Sequence, residues 1–267
     1  SLSDGIGVHK TQKKLMAGLK QVARLGMLKA VIGLGLPKIH YAKVPKDIEL
    51  IHSGHYPLWN KNIPWVMELE QVTQLTWFNR RLFDLKRNKH FFEKLFSSPP
   101  CRGILCWTEA AEKSLEKGLN CENFKEKIHV VPLTIEAPPP TRRVFDGKRL
   151  NLFFLATTFF EKGGVETLLA AEEASKSYNV HLYMFSTVPP LLRKKYESNP
   201  NIHFVEAKNR SELIDFYKKA DVFIMPGHFE AFGYVFLEAF SYGIPCISTD
   251  GYASEEIIED GVRGKVV

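Results

Sequence analysis

Several features of the sequence are absent or scarce, and each absence narrows the possible functions. Only four cysteines occur, and their spacing matches neither a zinc ribbon nor a Cys-x-x-Cys redox pair. No apolar run reaches the roughly 18 residues that a membrane span needs, and residues 1–20 lack the order of a signal peptide. A Gly-x-Ser-x-Gly elbow and a P-loop are also missing, which argues against hydrolases and NTPases. We therefore expect a cytoplasmic protein with free, mostly buried thiols.

The composition that remains is typical of a globular protein. The chain is 45% hydrophobic and 25% charged, and its 267 residues are enough for two compact domains. Strand-like and helix-like patterns alternate along the chain, which predicts α/β architecture with parallel sheets. Three consecutive prolines in EAPPPTRR favour a stiff linker. We predict an N-terminal Rossmann-like domain over 1–137, a linker over 138–143 and a C-terminal Rossmann-like domain over 144–267.

The individual elements are predicted from hydrophobic periodicity and from Gly and Pro punctuation. The predicted strands cover 48–54, 63–69, 101–107, 127–135, 150–157, 180–186, 202–207, 221–226 and 245–250. The predicted helices cover 10–24, 109–119, 164–177, 189–197, 211–219 and 234–243.

The net charge of +6 is unevenly distributed. Between Thr76 and Phe96, six basic side chains oppose two acidic ones, and apolar residues recur at helical spacing. This pattern predicts one basic amphipathic helix. Such a helix can rest on an anionic membrane surface or receive an acidic acceptor, although a core-facing stripe with a solvated basic back is the simpler interpretation. No nucleic acid partner is expected, because no reader motif accompanies the charge.

The most informative segment is DVFIMPGHFEAFGYVFLEAFSYG, residues 221–243. It predicts a buried strand, a polar Gly-rich loop and a helix that Gly243 ends. Loops between the carboxyl end of a strand and the amino end of a helix bind ligands in open α/β sheets. The loop carries Glu230, and Glu238 follows eight residues later inside the helix. The simpler alternative is a carboxylate at a helix amino end beside one solvated glutamate.

This segment resembles the Glu-x7-Glu motif of retaining GT-B glycosyltransferases, particularly the group 1 enzymes of glycosyltransferase family 4. Pro226, Gly233, Gly243-x-Pro245 and the later EEIIEDGVRG also fall where that family has them. The resemblance implies that Glu230 contacts the donor sugar and Glu238 the ribose of its nucleotide. It also places Phe232, Gly233 and Tyr234 at the donor.

A second family-like element is FFLATTFFEKGGVETLLAA, residues 153–171. Lys162 and Gly163 stand just before a predicted helix start, where an ammonium and backbone amides suit a diphosphate. The resemblance implies that Lys162 neutralises the leaving nucleoside diphosphate and that Gly163 lies at the donor, although a surface lysine beside a loop glycine is the alternative. The family usually has Gly-Arg where this chain has Ala156-Thr157. Possible substitutes for that arginine are Lys208 and Arg210.

Weaker signals come from glycines and histidines elsewhere in the chain. Gly5 and Gly7 precede a predicted helix and resemble the family loop that approaches donor phosphates. His52 and His55 lie near the carboxyl end of a predicted strand, and His228 is close to Glu230. These histidines are possible acceptor or sugar contacts, although a lone histidine is more often structural.

The resemblance implies two Rossmann-like domains facing across a cleft, the GT-B architecture, with Glu230 and Lys162 as catalytic residues. The implied reaction moves a sugar from a UDP- or GDP-sugar to a sugar, lipid or glycan acceptor, with retention. The basic segment between Thr76 and Phe96 adds a peripheral membrane surface as a candidate partner. No metal and no cofactor are expected, because no Asp-x-Asp pair occurs. The alternatives are a non-catalytic sugar-binding relative, or another GT-B enzyme such as a nucleotide-sugar epimerase or a sugar-phosphate synthase.

Overall fold

The computed structural model describes residues 33–40, 44–45, 47–60, 62–139, 145, 147–206 and 209–267. By its internal contacts the chain divides into two compact units. The first holds the described residues up to Leu105 together with Leu115–Ile128, and the second holds Cys106–Ser114 together with His129–Val267. The predicted linker stays a prediction, because most of it falls outside the described residues. Gly5, Gly7 and the predicted helix over 10–24 lie outside them as well.

The first sheet has the strand order β1-β2-β3-β4. Its strands are β1 (Ile51–Ser53), β2 (Trp65–Leu69), β3 (Cys101–Cys106) and β4 (Ile128–Val130). Strands β1 and β2 are parallel. In β2 every second residue is fully buried, which is the period of a strand with one face in the core. Each of these strands lies inside its predicted segment, but β4 is much shorter than predicted.

The helices beside the first sheet correct one prediction. The structure has α1 (Arg80–Phe83), α2 (Lys86–Ser97) and α3 (Glu109–Gly118), with short 3-10 helices at Val72–Thr76 and Lys125–Lys127. A single amphipathic helix over 76–96 is therefore wrong.

Two features break that predicted helix. Trp77 and Phe78 both adopt left-handed backbone conformations, with φ of 59° and 58°. The Asn79 side chain then accepts a hydrogen bond from Leu82 N–H at 3.1 Å, which caps the start of α1. A second break follows Asp84, because the Leu85 backbone is extended, with ψ of 123°, before α2 begins.

The second sheet has the strand order β10-β9-β8-β5-β6-β7. Its strands are β5 (Leu150–Leu155), β6 (Val180–Phe185), β7 (Ile202–Phe204), β8 (Val222–Ile224), β9 (Cys246–Ser248) and β10 (Gly264–Val266). All its strand pairs are parallel. Counted from β5, this is the 3-2-1-4-5-6 order of a Rossmann sheet, and its topological switch point lies between β5 and β8.

Five helices accompany the second sheet. They are α4 (Gly164–Ser175), α5 (Pro190–Tyr196), α6 (Arg210–Lys219), α7 (Tyr234–Ser241) and α8 (Ser254–Ile258). The first four lie close to their predicted places. Gly243, with φ of 69°, ends the segment of α7 as expected from its backbone freedom.

The core of the second unit is rich in aromatic side chains. Phe153 on β5 contacts Phe185, Tyr217 and Phe223 edge-to-face, with ring centroids 5.2, 4.9 and 5.6 Å apart. Strands that are buried on both faces have continuous apolar sequences, and the strands of the second sheet have such sequences. The prediction of an α/β protein with parallel, Rossmann-like sheets is confirmed.

Candidate active site

Two loops meet at the switch point of the second sheet. One joins β5 to α4 and the other joins β8 to α7. Gly163 has φ of +74°, and a Cβ on it would lie 2.1 Å from the Pro226 carbonyl oxygen of the other loop. Only glycine permits this approach. The glycine beside Lys162 therefore brings the two loops together at the sheet edge where α/β proteins bind ligands.

Lys162 and Glu230, one from each loop, form an ion pair. Lys162 Nζ lies 2.9 Å from Glu230 Oε2 and also donates to the Phe229 carbonyl oxygen at 2.9 Å. The two side chains are 23% and 12% exposed, so water screens this pair less than a surface pair. The two residues that the sequence predicts to be catalytic are therefore in direct contact, although 68 positions separate them.

The backbone after Glu230 holds its carboxylate in place. Glu230 Oε1 accepts hydrogen bonds from the N–H groups of Phe232 at 3.3 Å and Gly233 at 2.8 Å. Gly233 has φ of +75°, and a Cβ there would lie 2.3 Å from the Phe236 ring. The carboxylate thus lies at the amino end of α7, where the helix dipole favours negative charge.

The two aromatic neighbours of Gly233 have different surroundings. Phe232 is buried and lies edge-to-face against Trp107, with ring centroids 6.3 Å apart. Tyr234 is 45% exposed, and its hydroxyl donates to the Thr134 carbonyl oxygen at 3.2 Å. In this arrangement the Phe232 ring is packed and its N–H is bonded to Glu230, whereas the Tyr234 ring is partly open to solvent.

Glu238 is a buried carboxylate with two side-chain partners. It is 7% exposed. Its Oε2 accepts the hydroxyl of Tyr217 at 2.8 Å, and its Oε1 lies 2.6 Å from Arg210 Nη2. Burial, with the negative charge of Glu238, raises the pKa of Tyr217 well above its ordinary value, so the hydroxyl stays protonated and donates. This carboxylate is not the solvated helix glutamate of the simpler interpretation.

The sequence did not reveal Tyr217 as part of the site. It lies on α6, and its apolar ring packs in the aromatic core with only the hydroxyl directed to Glu238. A tyrosine in a helix otherwise signals a core position, so local pattern carried no sign of this contact.

No basic side chain occupies the position after β5 where the resembling family has an arginine. Thr157 is exposed at the end of β5. Of the two possible substitutes, Arg210 bonds Glu238, and Lys208 lies outside the described residues. In this structure Arg210 therefore belongs to the surroundings of Glu238.

The three predicted histidines occupy separate places. His228 Nε2 lies 3.3 Å from Glu166 Oε1, so it links the loop between β8 and α7 to helix α4. His52 on β1 lies 3.0 Å from Glu68 on β2, and His55 is exposed after β1. The structure thus brings Lys162, Gly163, Glu230 and Gly233 together with His228 nearby, while His52 and His55 belong to the first unit.

Three further kinds of chemistry concern the described residues, namely metal binding, membrane insertion and thiol reactivity. Within those ranges, no three His, Cys, Asp or Glu side chains are gathered so as to hold a metal ion. No helix in the same part of the chain is long and apolar enough to cross a membrane. None of the four cysteines forms a disulfide and three are buried, as predicted. Burial raises the pKa of Cys101 to about 12, which makes its thiolate scarce at neutral pH.

Comparisons with known proteins relate the chain to glycosyltransferases. Residues 143–267 match the family model described as Glycosyl transferases group 1. The chain is 25% identical over 218 residues to the lipopolysaccharide glucosyltransferase WaaG of Escherichia coli, covering 74% of this chain and 57% of that protein. It is 31% identical over 99 residues to the capsular polysaccharide biosynthesis glycosyltransferase CapM of Staphylococcus aureus, covering 35% of this chain and 26% of that protein.

A solved structure shows the same fold class. The crystal structure of WaaG, a glycosyltransferase involved in lipopolysaccharide biosynthesis, aligns with a TM-score of 0.54 and 19% identity. The alignment covers 84% of this chain and 65% of that chain. The likeness supports the GT-B fold class. The chain spans about half or less of the length of the curated relatives it matches.

Proposed function

We propose that this protein is a glycosyltransferase of the family 4 type, which moves a sugar from a UDP- or GDP-sugar to a sugar, lipid or glycan acceptor with retention. One observation carries the proposal. Lys162 and Glu230 meet at the topological switch point of a Rossmann sheet, with Glu238 inside the helix that follows. This combination lies in the segment that matches the group 1 family.

The three charged groups suit the parts of a nucleotide sugar. The Lys162 ammonium, beside the amino end of α4, stabilises the negative charge that develops on the departing diphosphate. Glu230 accepts hydroxyls of the sugar, since a carboxylate holding two backbone N–H groups still has lone pairs free. Glu238 accepts the ribose hydroxyls while Tyr217 and Arg210 hold its orientation.

Donor binding gives the Lys162 ammonium a second anionic partner. Because the ammonium already lies 2.9 Å from Glu230, a diphosphate shares it with that carboxylate. An ammonium has three N–H donors, and two of them bond Glu230 and the Phe229 carbonyl oxygen. The third serves the diphosphate. The proposed reaction uses no metal or other cofactor, and the acceptor and any membrane contact stay predictions.

Substitution of Glu238 tests the donor site. Glu238→Ala is expected to weaken the binding of nucleotide and nucleotide sugar alike by about 1.5–3 kcal/mol, because a charged hydrogen bond is lost. Calorimetry with UDP, GDP and their sugar conjugates measures it. Glu173→Ala, which removes an exposed glutamate of α4, is the matched control and leaves affinity unchanged. Equal affinity of the parent and Glu238→Ala would remove the ribose assignment.

The second candidate is a non-catalytic sugar-binding relative. The exposed Thr157, in place of the family arginine, favours it, because one cation fewer stabilises the leaving group. Donor hydrolysis separates the candidates, since a binder takes up the nucleotide sugar and returns it intact. A nucleotide-sugar epimerase returns a nucleotide sugar in which one stereocentre is inverted, which product analysis identifies.

A further inference from the structure

A cavity of about 770 Å³ lies in the first unit, beside α2. Its walls come from α2, from residues 98–100 that follow it, and from Trp59 and Asn60 before β2. At this place Trp65 N–H, at the start of β2, donates to the Pro100 carbonyl oxygen at 2.8 Å. The cavity therefore lies at the amino ends of β2 and β3. It is separate from the candidate active site, which lies at the carboxyl ends of β5 and β8.

One face of α2 makes this cavity cationic. Arg87, His90 and Lys94 line it, and their spacing of three and four residues places them on the same face. Arg87 Nη2 donates to the carbonyl oxygens of Leu34 at 2.6 Å and Gly35 at 3.0 Å. These bonds fix the guanidinium charge beside the cavity before any ligand arrives.

The carboxylates nearest in sequence bond elsewhere. Asp84 pairs with Arg80 and Lys89, at 2.9 and 3.4 Å. Glu93 accepts the Asn120 N–H at 2.9 Å. None of the described residues that line the cavity is acidic, so no carboxylate of the lining neutralises its basic side chains.

An aromatic wall and hydroxyl groups complete the cavity. Trp59 and Phe91 stack with ring centroids 5.6 Å apart and an interplanar angle of 11°, and Trp59 is 46% exposed. The exposed indole is a flat apolar surface that suits the C–H face of a sugar ring. Ser97 and Ser98 donate to backbone carbonyl oxygens, so their own oxygens can accept hydroxyl groups of a ligand.

We propose that this cavity binds an acidic saccharide, with a sugar ring against Trp59 and its carboxylate near His90 and Lys94. The volume is in the range of ligand sites, and aromatic, hydroxyl and cationic groups together match a uronic acid better than a lipid tail. A membrane surface needs protruding apolar side chains rather than a concavity. The proposal goes beyond glycosyl transfer and does not depend on the donor site.

The test is calorimetric titration with hexasaccharides of hyaluronan, alginate and polygalacturonate, with maltohexaose as the neutral probe. At least one acidic hexasaccharide is expected to bind, with affinity that falls as salt rises. Lys94→Glu is expected to lower that affinity about tenfold, because it turns an attraction into a repulsion. Trp59→Ala lowers it as well. Lys86→Ala removes a charge from the same helix outside the cavity and leaves affinity unchanged.

Three results would overturn the proposal. They are no binding of any acidic hexasaccharide, equal binding of maltohexaose, and an equal loss in Lys86→Ala and Lys94→Glu. Vesicles containing phosphatidylglycerol form a separate arm, and binding to them without saccharide binding assigns the basic face to a membrane instead. UDP and GDP affinities are measured on the same variants. They are expected to match the parent, so failure of this proposal is distinguishable from failure of the donor site.

Discussion

Replacing Tyr217 by phenylalanine removes one hydroxyl from the buried surroundings of Glu238. The hydroxyl donates to Glu238 Oε2 at 2.8 Å, and the carboxylate is 7% exposed, so water does not readily replace the lost donor. A hydrogen bond to a charged group contributes about 1.5–3 kcal/mol. We therefore expect Tyr217→Phe to lower the free energy of unfolding by about 1.5–3 kcal/mol, measured by urea denaturation followed by circular dichroism.

The same substitution is expected to weaken nucleotide binding. Glu238 keeps Arg210 on Oε1 but loses the bond that holds Oε2, so its orientation toward a ribose becomes less defined. A loss of about 1 kcal/mol corresponds to roughly a fivefold rise in the Kd for UDP or GDP. Calorimetry measures this rise. The double variant Tyr217→Phe/Glu238→Gln then shows whether Tyr217 and Glu238 act together, since the free-energy changes of two coupled substitutions do not add.

Tyr196→Phe is the matched control. Tyr196 is also buried, and its hydroxyl donates to Glu172 at a longer distance of 3.3 Å, away from the site. We expect a smaller loss of stability and an unchanged Kd for nucleotide. If Tyr217→Phe unfolds like the parent, or if both variants lose nucleotide affinity equally, the reasoning about Glu238 is refuted.

Three further predictions concern single side chains. Lys162→Ala is expected to spare nucleoside binding but to weaken nucleoside diphosphate binding by about 1.5–3 kcal/mol, and equal calorimetric losses for both ligands contradict the charge argument. Gly163→Ala is expected to lower the thermal midpoint more than Gly147→Ala. Both glycines have positive φ, but only a Cβ at residue 163 would lie 2.1 Å from the Pro226 carbonyl oxygen. Equal thermal midpoints of the two variants would show that the contact between Gly163 and Pro226 is absent. Burial raises the pKa of Cys101 from 9.0 to about 12. The contribution of this thiol to the free energy of unfolding is therefore present below pH 9 and is lost as pH rises toward 12. Cys101→Ala is expected to lose less stability between pH 9 and 12 than the parent, measured by urea denaturation at each pH. An identical pH dependence in the two proteins would contradict the burial argument.

Much of the fold followed from local sequence pattern. Apolar runs bounded by Gly and Pro marked the strands of the second sheet, and Gly243 marked the end of the helix that carries Glu238. The sequence also placed Lys162 before a helix and Glu230 after a strand. In a parallel α/β sheet such loops lie at the ligand-binding edge, so candidate residues could be named from pattern alone.

Local pattern was weakest between Thr76 and Phe96. Helical periodicity there predicted one helix, yet the helical conformation is interrupted at Trp77 and Phe78 and again at Leu85. Asn88 donates to the Leu82 carbonyl oxygen at 2.7 Å across the second break and to the Gly35 carbonyl oxygen at 3.1 Å. The second of these is a long-range contact that helical periodicity does not report.

What the sequence by itself determined is the type and order of the elements and the chemistry of single residues. Only the tertiary structure decided which of these residues meet. Strand order brings Lys162 to Glu230 across 68 positions, and helix packing brings Tyr217 to Glu238 and Trp59 to Phe91. The physical reason is that hydrophobic periodicity reports which face of an element is buried. Partners of a polar group depend on which elements are neighbours, and that is set by the packing of the whole sheet.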